Sequence, residues 1–273
     1  MYNISLYKTP IHELSGVAQL LGLERLLIKR DDLLDLYGTK TRHAHRIFSH
    51  LRQQGVRSVE LVGDGDSNCL RIYAMAACRV GVQPRFRFLT PLRTGNAQIM
   101  MKFRTFDGPP DFVLHWYEMK NFAVDACVEA FSEVVGQIDE PIERIYLSSY
   151  DATGIGMVVG VAKAKMDTKI ITAYAPPPVG GIVIDDSDND IASMLDEACK
   201  RHGVVVSQPP DRRLVVDSCE AVVEEILNVS GVLLDPKYTG RAMYVLMQDA
   251  QEGKIRSDER VLFWHTGGIF LNV

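Results

Sequence analysis

The chain has 273 residues, 47% apolar and 24% charged, an ordinary globular composition long enough for two domains or one large α/β domain. Thirty Lys and Arg against 35 Asp and Glu give a net charge of −5, which argues against nucleic acid or an anionic membrane as the main partner. No apolar run approaches the ~20 residues of a membrane span, and Met1-Tyr2-Asn3-Ile4-Ser5 lacks a basic and then apolar leader, so a cytoplasmic location is expected.

Short apolar runs alternate with longer amphipathic stretches. Leu26 to Ile28 reads as a strand, and Arg42 to Gln54 as a helix stopped by Gly55. Strand Ser58 to Val62 precedes helix Asn68 to Val80, and strand Phe86 to Leu89 precedes helix Gly95 to Phe103. Strand Phe112 to Leu114 leads to helix Phe122 to Val135, and strand Arg144 to Leu147 to helix Gly154 to Lys165. Strands are expected at Lys169 to Ala173, Gly181 to Ile184, Val204 to Val206 and Val261 to Trp264. Helices are expected at Ile191 to Arg201, Glu220 to Leu227 and Gly240 to Gln251. Strands alternating with helices of this length predict an α/β fold with parallel sheets covered on both faces.

The five cysteines, Cys69, Cys78, Cys127, Cys199 and Cys219, are odd in number and contain no CxxC, so neither a disulfide framework nor a structural zinc site is expected. His43 and His45 are two residues apart, the wrong spacing for two ligands on one helix face. The acidic stretch Asp185, Asp186, Asp188 and Asp190 lacks an EF-hand's glycine and glutamate, and reads as a helix start before Ile191 rather than as a metal site.

Four turns can carry chemistry. Lys40, in Gly38-Thr39-Lys40-Thr41-Arg42, follows a glycine turn and opens a helix, where its amine can project into a cleft; a solvated helix-start lysine is the plainer reading. Gly63 to Cys69 links a strand to a helix whose free N–H groups, with Ser67, can seat a carboxylate, although Ser67 also suits a simple N-cap. Asp151-Ala152-Thr153-Gly154 makes the same transition and can cradle a phosphate, but matches neither GxxxxGK[ST] nor GxGxxG. Leu234 to Arg241 and Trp264 to Gly268 add two further turns near the C-terminus, where a cofactor can lie at a sheet's carboxyl edge.

Taken in this order, the turns resemble those of the fold-type II pyridoxal-phosphate (PLP) enzymes, and more narrowly the family of D-cysteine desulfhydrase and 1-aminocyclopropane-1-carboxylate (ACC) deaminase. The matching stretches are Thr9 to Ile11, Ile28 to Leu33, Gly38 to Arg42, Ser67-Asn68, Gly95-Asn96, Leu233 to Arg241 and His265 to Gly268. The resemblance implies two open parallel-sheet domains of the tryptophan-synthase-β kind, with the cofactor in the cleft between them. The larger would hold 1–40 and 118–273, the smaller 41–117. Lys40 would be the Schiff-base lysine and the base at the substrate Cα. Ser67, Asn68 and Cys69 would line the substrate-carboxylate loop, and Asn68 would also reach the cofactor's phenolic oxygen. Thr153 and Gly154 would hold the phosphate, and Thr266 would contact the cofactor. Tyr238 would face the substrate. Thr239 would lie near the pyridine nitrogen, where a neutral hydroxyl suits β-elimination better than ring opening of ACC.

The implied function is a PLP-dependent lyase that eliminates a β substituent from a small amino acid, as a cytoplasmic homodimer without membrane, nucleic-acid or metal partners. Two alternatives stay open: a catalytically silent homologue acting as a binding or interaction protein, and a PLP-dependent racemase or β-replacement synthase.

Several positions depart from the family pattern. Tyr150, Asp151 and Ala152 replace a loop rich in Gly and Thr, and Asp151 would repel a phosphate unless it turns outward or is offset by a cation. His43 stands in place of a second lysine and is the cation expected to help as pH falls toward ~6.5. Asp64 and Asp66 make the carboxylate loop acidic, and Pro209 to Arg213 lacks the family's second tyrosine. The chain is also short between Val135 and Glu143, which implies a missing piece of wall beside the cofactor.

Overall fold

The computed structural model describes residues 8–92, 95–104, 106–115, 118–175, 188–216 and 219–268. The elements run β1 (Ile11–Glu13), α1 (Ser15–Leu21), β2 (Leu26–Arg30), α2 (Lys40–Gln53), β3 (Ser58–Gly63), α3 (Asn68–Arg79), β4 (Gln83–Phe88), α4 (Gly95–Met100) and β5 (Phe112–His115). They continue with α5 (Lys120–Val135), β6 (Arg144–Ser148), α6 (Ala152–Ala164), β7 (Lys169–Tyr174), α7 (Asp188–His202), β8 (Asp211–Leu214), α8 (Glu220–Ser230), α9 (Thr239–Gln251) and β9 (Val261–His265). A 3₁₀ turn, Asp31–Leu33, follows β2.

Among the described residues the strands form two sheets. The larger has the order β1-β2-β9-β6-β7-β8, and the smaller β4-β3-β5. Every pairing is parallel except β1 with β2. Two-residue alternation sends the strand side chains of the larger sheet to opposite faces. Leu26, Ile28, Val261 and Phe263 pack with α1, α8 and α9 on one face. Leu27, Leu262, Trp264, Ile145 and Leu147 pack with α5 and α6 on the other. The smaller sheet buries Val59, Leu61 and Leu114 against Ile47, Phe48 and Leu51 of α2 and Leu70 and Ile72 of α3. Each such aliphatic or aromatic side chain contributes ~1.5–3 kcal/mol when fully buried.

Helix α2 packs against both α3 and α5, so it joins the two layers. Helix α5 fits α6 through glycines: a Cβ on Gly156 would fall 2.5 Å from Cys127 Cβ, and one on Gly160 2.7 Å from Phe131 Cβ.

Two expectations need correction, and two elements are additional. Val204 to Val206 is not a strand; β8 lies further on, at Asp211–Leu214, where Asp211 is held by Lys169 (2.9 Å) and Arg213 (2.7 Å) rather than by apolar alternation. The short β1 and α1 were not anticipated. The connection from Val135 to Glu143 enters the amino end of β6, and Glu143 there accepts the N–H of Arg260 at 2.7 Å. The shortening therefore lies at the edge of the sheet away from the strands' carboxyl ends. The expected strand Gly181 to Ile184, and Asp185 and Asp186 of the acidic stretch, lie outside the described residues.

Candidate active site

The carboxyl ends of β2, β3, β4, β5, β6, β7 and β9 open onto one cavity of about 310 Å³. Open parallel sheets place ligand sites at this edge. The strand ends and the turns that follow them bring Lys40, Asp64, Asp66 to Cys69, Thr90, Glu118 to Lys120, Ser149 to Thr153, Tyr174 and Thr266-Gly267 to the wall. Helices α2, α3, α5 and α6 all begin there, and the partial positive charge of each first turn favours an anion in the cavity.

Lys40 is the first residue of α2. Its turn is fixed by a backbone approach: Thr39 N–H donates to the Thr266 carbonyl at 3.0 Å, and a Cβ on Gly38 (φ +130°) would fall 2.6 Å from that oxygen. His265 shapes the facing turn, accepting the Gly267 N–H at Nδ1 (3.2 Å) and donating from Nε2 to the Leu233 carbonyl (3.0 Å). The Lys40 ammonium lies 5.6 Å from the ring centroid of Tyr238, within cation–π range. Burial, then the carboxylates of Asp235 and Asp64, push the Tyr238 phenol well above its ordinary value, so it stays protonated.

Behind Lys40 lies a buried ionic cluster. Asp31 accepts from Thr9 Oγ1 (2.7 Å), Thr39 Oγ1 (2.9 Å), and Arg42 Nε (3.0 Å) and Nη2 (2.8 Å). Arg42 also pairs with Glu133 at 2.6 Å, and Glu133 lies 3.4 Å from Lys29. Burial opposes the Asp31 charge, but Arg42 outweighs it and holds the carboxyl below the usual range. Thr39 and Arg42 flank Lys40, so the cluster sets the first turn of α2.

At the carboxylate loop, Ser67 is the N-cap of α3 and accepts the Leu70 N–H at 3.2 Å. Asp64 does structural work, accepting the Asp66 N–H and the Thr90 hydroxyl, both at 2.8 Å. Asn68 gives its carbonyl oxygen to Arg71 Nη2 at 2.6 Å, which leaves its NH₂ as the end available to a ligand. Cys69 shares the wall, and burial raises its thiol pKa.

Of the residues expected at the site, Lys40, Ser67, Asn68, Cys69, Thr153, Tyr238 and Thr266 line the cavity. Gly154 and Thr239 do not. Gly154 packs under the sheet, where a Cβ would fall 2.8 Å from Thr172 Cγ2, and its N–H goes to Ser149 Oγ at 2.9 Å. Thr239 is fully buried and donates its hydroxyl to Asp235 Oδ2 at 2.8 Å. The same Asp235 carboxylate collects the N–H groups of Lys237, Tyr238 and Thr239, so the hydroxyl is spent in closing that turn. The expectation against ACC ring opening loses the support it drew from Thr239.

His43 lines the cavity but is not a cation. Burial, then the charge of Lys40, push its pKa down to about 3, and Nε2 sits 3.3 Å from Cys127 Sγ. The cation beside Asp151 is Lys120, at 2.7 Å. Sequence reasoning missed Lys120, although it follows β5 and opens α5 much as Lys40 follows β2 and opens α2. It also missed Tyr174, which meets Tyr150 of the phosphate loop edge to face at 5.3 Å in the wall. Arg212 lies over Tyr174 at 5.0 Å, so the segment lacking the second family tyrosine still borders an aromatic wall.

Among the described residues no group of three or more His, Cys, Asp or Glu is placed to hold a metal ion, and no helix is long and apolar enough to cross a membrane.

No protein-family model matches the chain. A D-cysteine desulfhydrase of Yersinia enterocolitica is 25% identical over 307 residues, covering 95% of this chain and 91% of its own. A Pyrococcus horikoshii protein, provisionally named a 1-aminocyclopropane-1-carboxylate deaminase, is 24% identical over 300 residues, covering 96% and 90%. The solved structure of an ACC deaminase homologue superposes with a TM-score of 0.83 at 21% identity, over 98% of this chain and 91% of that one. A hydrogen sulfide-producing enzyme from Fusobacterium nucleatum superposes with a TM-score of 0.73 at 13% identity, over 98% and 97%. The chain thus has the fold of the fold-type II PLP enzymes, and its sequence is similar to D-cysteine desulfhydrase along nearly its whole length.

Proposed function

We propose that the protein is a PLP-dependent lyase that removes a β substituent from a small amino acid, in the manner of D-cysteine desulfhydrase. The observation that carries this reading is the pairing of Lys40 with Tyr238 in the cavity wall, an amine 5.6 Å from the ring centroid of a tyrosine whose phenol is held protonated. The residues present fit PLP by their donor chemistry. An amine for its aldehyde lies on Lys40, an amide donor on Asn68, and a cation with a helix start at Lys120 and α6. When bound, the cofactor's ring takes up the electron pair left at the substrate Cα.

The chain's own residues do the rest. Lys40 Nζ, as a neutral amine, takes the proton from the substrate Cα. Ser67 and Asn68, at the start of α3, hold the substrate carboxylate. The Tyr238 phenol donates a hydrogen bond to the departing thiolate, and a halide leaves unprotonated. The product is a keto acid with ammonia, after water adds to the eliminated product and its nitrogen leaves as ammonia.

The larger unit of 1–40 with 118–273, and the smaller of 41–117, are supported by the two separate sheets. A homodimer and a cytoplasmic location are supported by the resemblance.

The test is a substrate panel of D-cysteine, L-cysteine, β-chloroalanine and ACC, followed by keto-acid and ammonia release. Turnover of a cysteine or of β-chloroalanine is expected. Cofactor bound at Lys40 with no keto acid from any of the four would favour a silent homologue, and turnover of ACC alone would move the assignment to the deaminase.

A further inference from the structure

One part of the cavity wall is built from two helix starts. Lys120 is the first residue of α5, and its predecessor Met119 takes a left-handed conformation (φ +60°) to place it there. Asp151 precedes α6. A cation at a helix start is electrostatically unfavourable in isolation. Here Lys120 meets Asp151 Oδ2 at 2.7 Å, with the two side chains 20% and 18% exposed.

A purely structural N-cap serves the second or third N–H of its helix. Asp151 instead accepts the first, from Ala152, while the third, from Gly154, goes to Ser149 Oγ. Its carboxylate thus sits on an ammonium and a helix-start N–H, the donors that bind a phosphate oxygen. Ser149, Thr153 and Lys120 share this part of the wall, and His43, kept neutral by burial, supplies no charge.

We propose that Lys120 is the cation that receives the cofactor's phosphate in this chain, and that Asp151 competes with the phosphate for Lys120 and the Ala152 N–H. The inference rests on the cofactor reading above. Phosphate binding turns Asp151 away, and the cofactor's affinity is set by that exchange. A neutral side chain at position 151 removes the competitor and leaves Lys120 in place.

The experiment titrates the wild type, Lys120→Gln and Asp151→Asn with PLP and with unphosphorylated pyridoxal. Binding is read from the ligand's visible absorption, and attachment from borohydride trapping with peptide mapping. Asp151→Asn is expected to tighten PLP about fivefold, and Lys120→Gln to weaken it tenfold or more. Pyridoxal, which lacks the phosphate, is expected to bind all three alike, and this also shows that the cavity is intact.

PLP trapped on Lys40 with equal affinity in all three proteins overturns the inference and leaves the function standing. PLP and pyridoxal shifting together also overturns it, because the phosphate is then not what the substitutions touch. No adduct of either ligand at Lys40 in any protein overturns the function as well.

Discussion

Gly38 and Gly267 meet backbone to backbone: a Cβ on Gly267 would fall 2.6 Å from Gly38 Cα. Both glycines have positive φ, +130° and +89°, a region other residues rarely adopt. The contact fixes the turn before Lys40 against the turn after β9, so the amine is held by rigid backbone.

Gly267→Ala is therefore expected to destabilise the protein by about 1–3 kcal/mol, since the neighbouring atoms are backbone and give way poorly. It should also slow the reaction of Lys40 with aldehydes. Denaturant melts and the rate of borohydride-trapped adduct check both; a variant with wild-type stability and rate would show that the contact does not hold the turn.

The Asp31 cluster makes a separate prediction. Removing one member of a buried ion pair leaves its partner uncompensated, at a cost of about 3–5 kcal/mol. Asp31→Ala leaves Arg42 with Glu133 as its remaining carboxylate and frees the Thr39 hydroxyl beside Lys40. Urea unfolding should show the loss, and a change below about 1 kcal/mol would contradict the pairing.

His43 gives a pH signature. Its folded pKa lies near about 3, against an ordinary 6.5. Below 6.5 the unfolded chain takes up a proton that the folded chain refuses. Stability from the neutral ring is thus present above 6.5 and is lost as pH falls toward 3. His43→Gln removes this dependence. The stability gap between wild type and variant should shift by about 2 kcal/mol in the variant's favour from pH 7 to pH 5. A gap that stays constant in urea melts at the two pH values would place the imidazole in solvent.

Gly156 tests how the helix starts are positioned. An alanine there meets Cys127 Cβ at 2.5 Å and the Val124 carbonyl at 2.6 Å, so α6 must move off α5. The expected cost is about 1–3 kcal/mol. The same displacement pulls Asp151 from Lys120, so cofactor binding should change with stability. A stable variant with unchanged binding would show that the glycine contact does not set the distance between the two starts.

The alternation of strand and helix, and the turns that carry Lys40, Asn68, Thr153, Tyr238 and Thr266, were legible because each is a local pattern of apolar periodicity and turn residues. Val204 to Val206 misled because a three-residue apolar run packs equally well as a loop, and Val206 does so against α5 and α6. The β8 strand was hidden because Asp211, Arg212 and Arg213 are charged; ion pairing holds Asp211 and Arg213 at the sheet edge, and Arg212 lies over Tyr174. Thr239 was misplaced because the direction of its hydroxyl depends on where the Asp235 carboxylate lies, which no spacing records. Lys120 escaped notice because its meaning lies in Asp151, on a neighbouring helix start brought near only by the packing of α5 on α6.

The most direct test of the account is the site of cofactor attachment. Purified protein incubated with PLP, reduced with borohydride and digested should yield one labelled peptide, with the adduct on Lys40 and a visible absorption band before reduction. An adduct on any other lysine with Lys40 untouched, or no band at all, would contradict it.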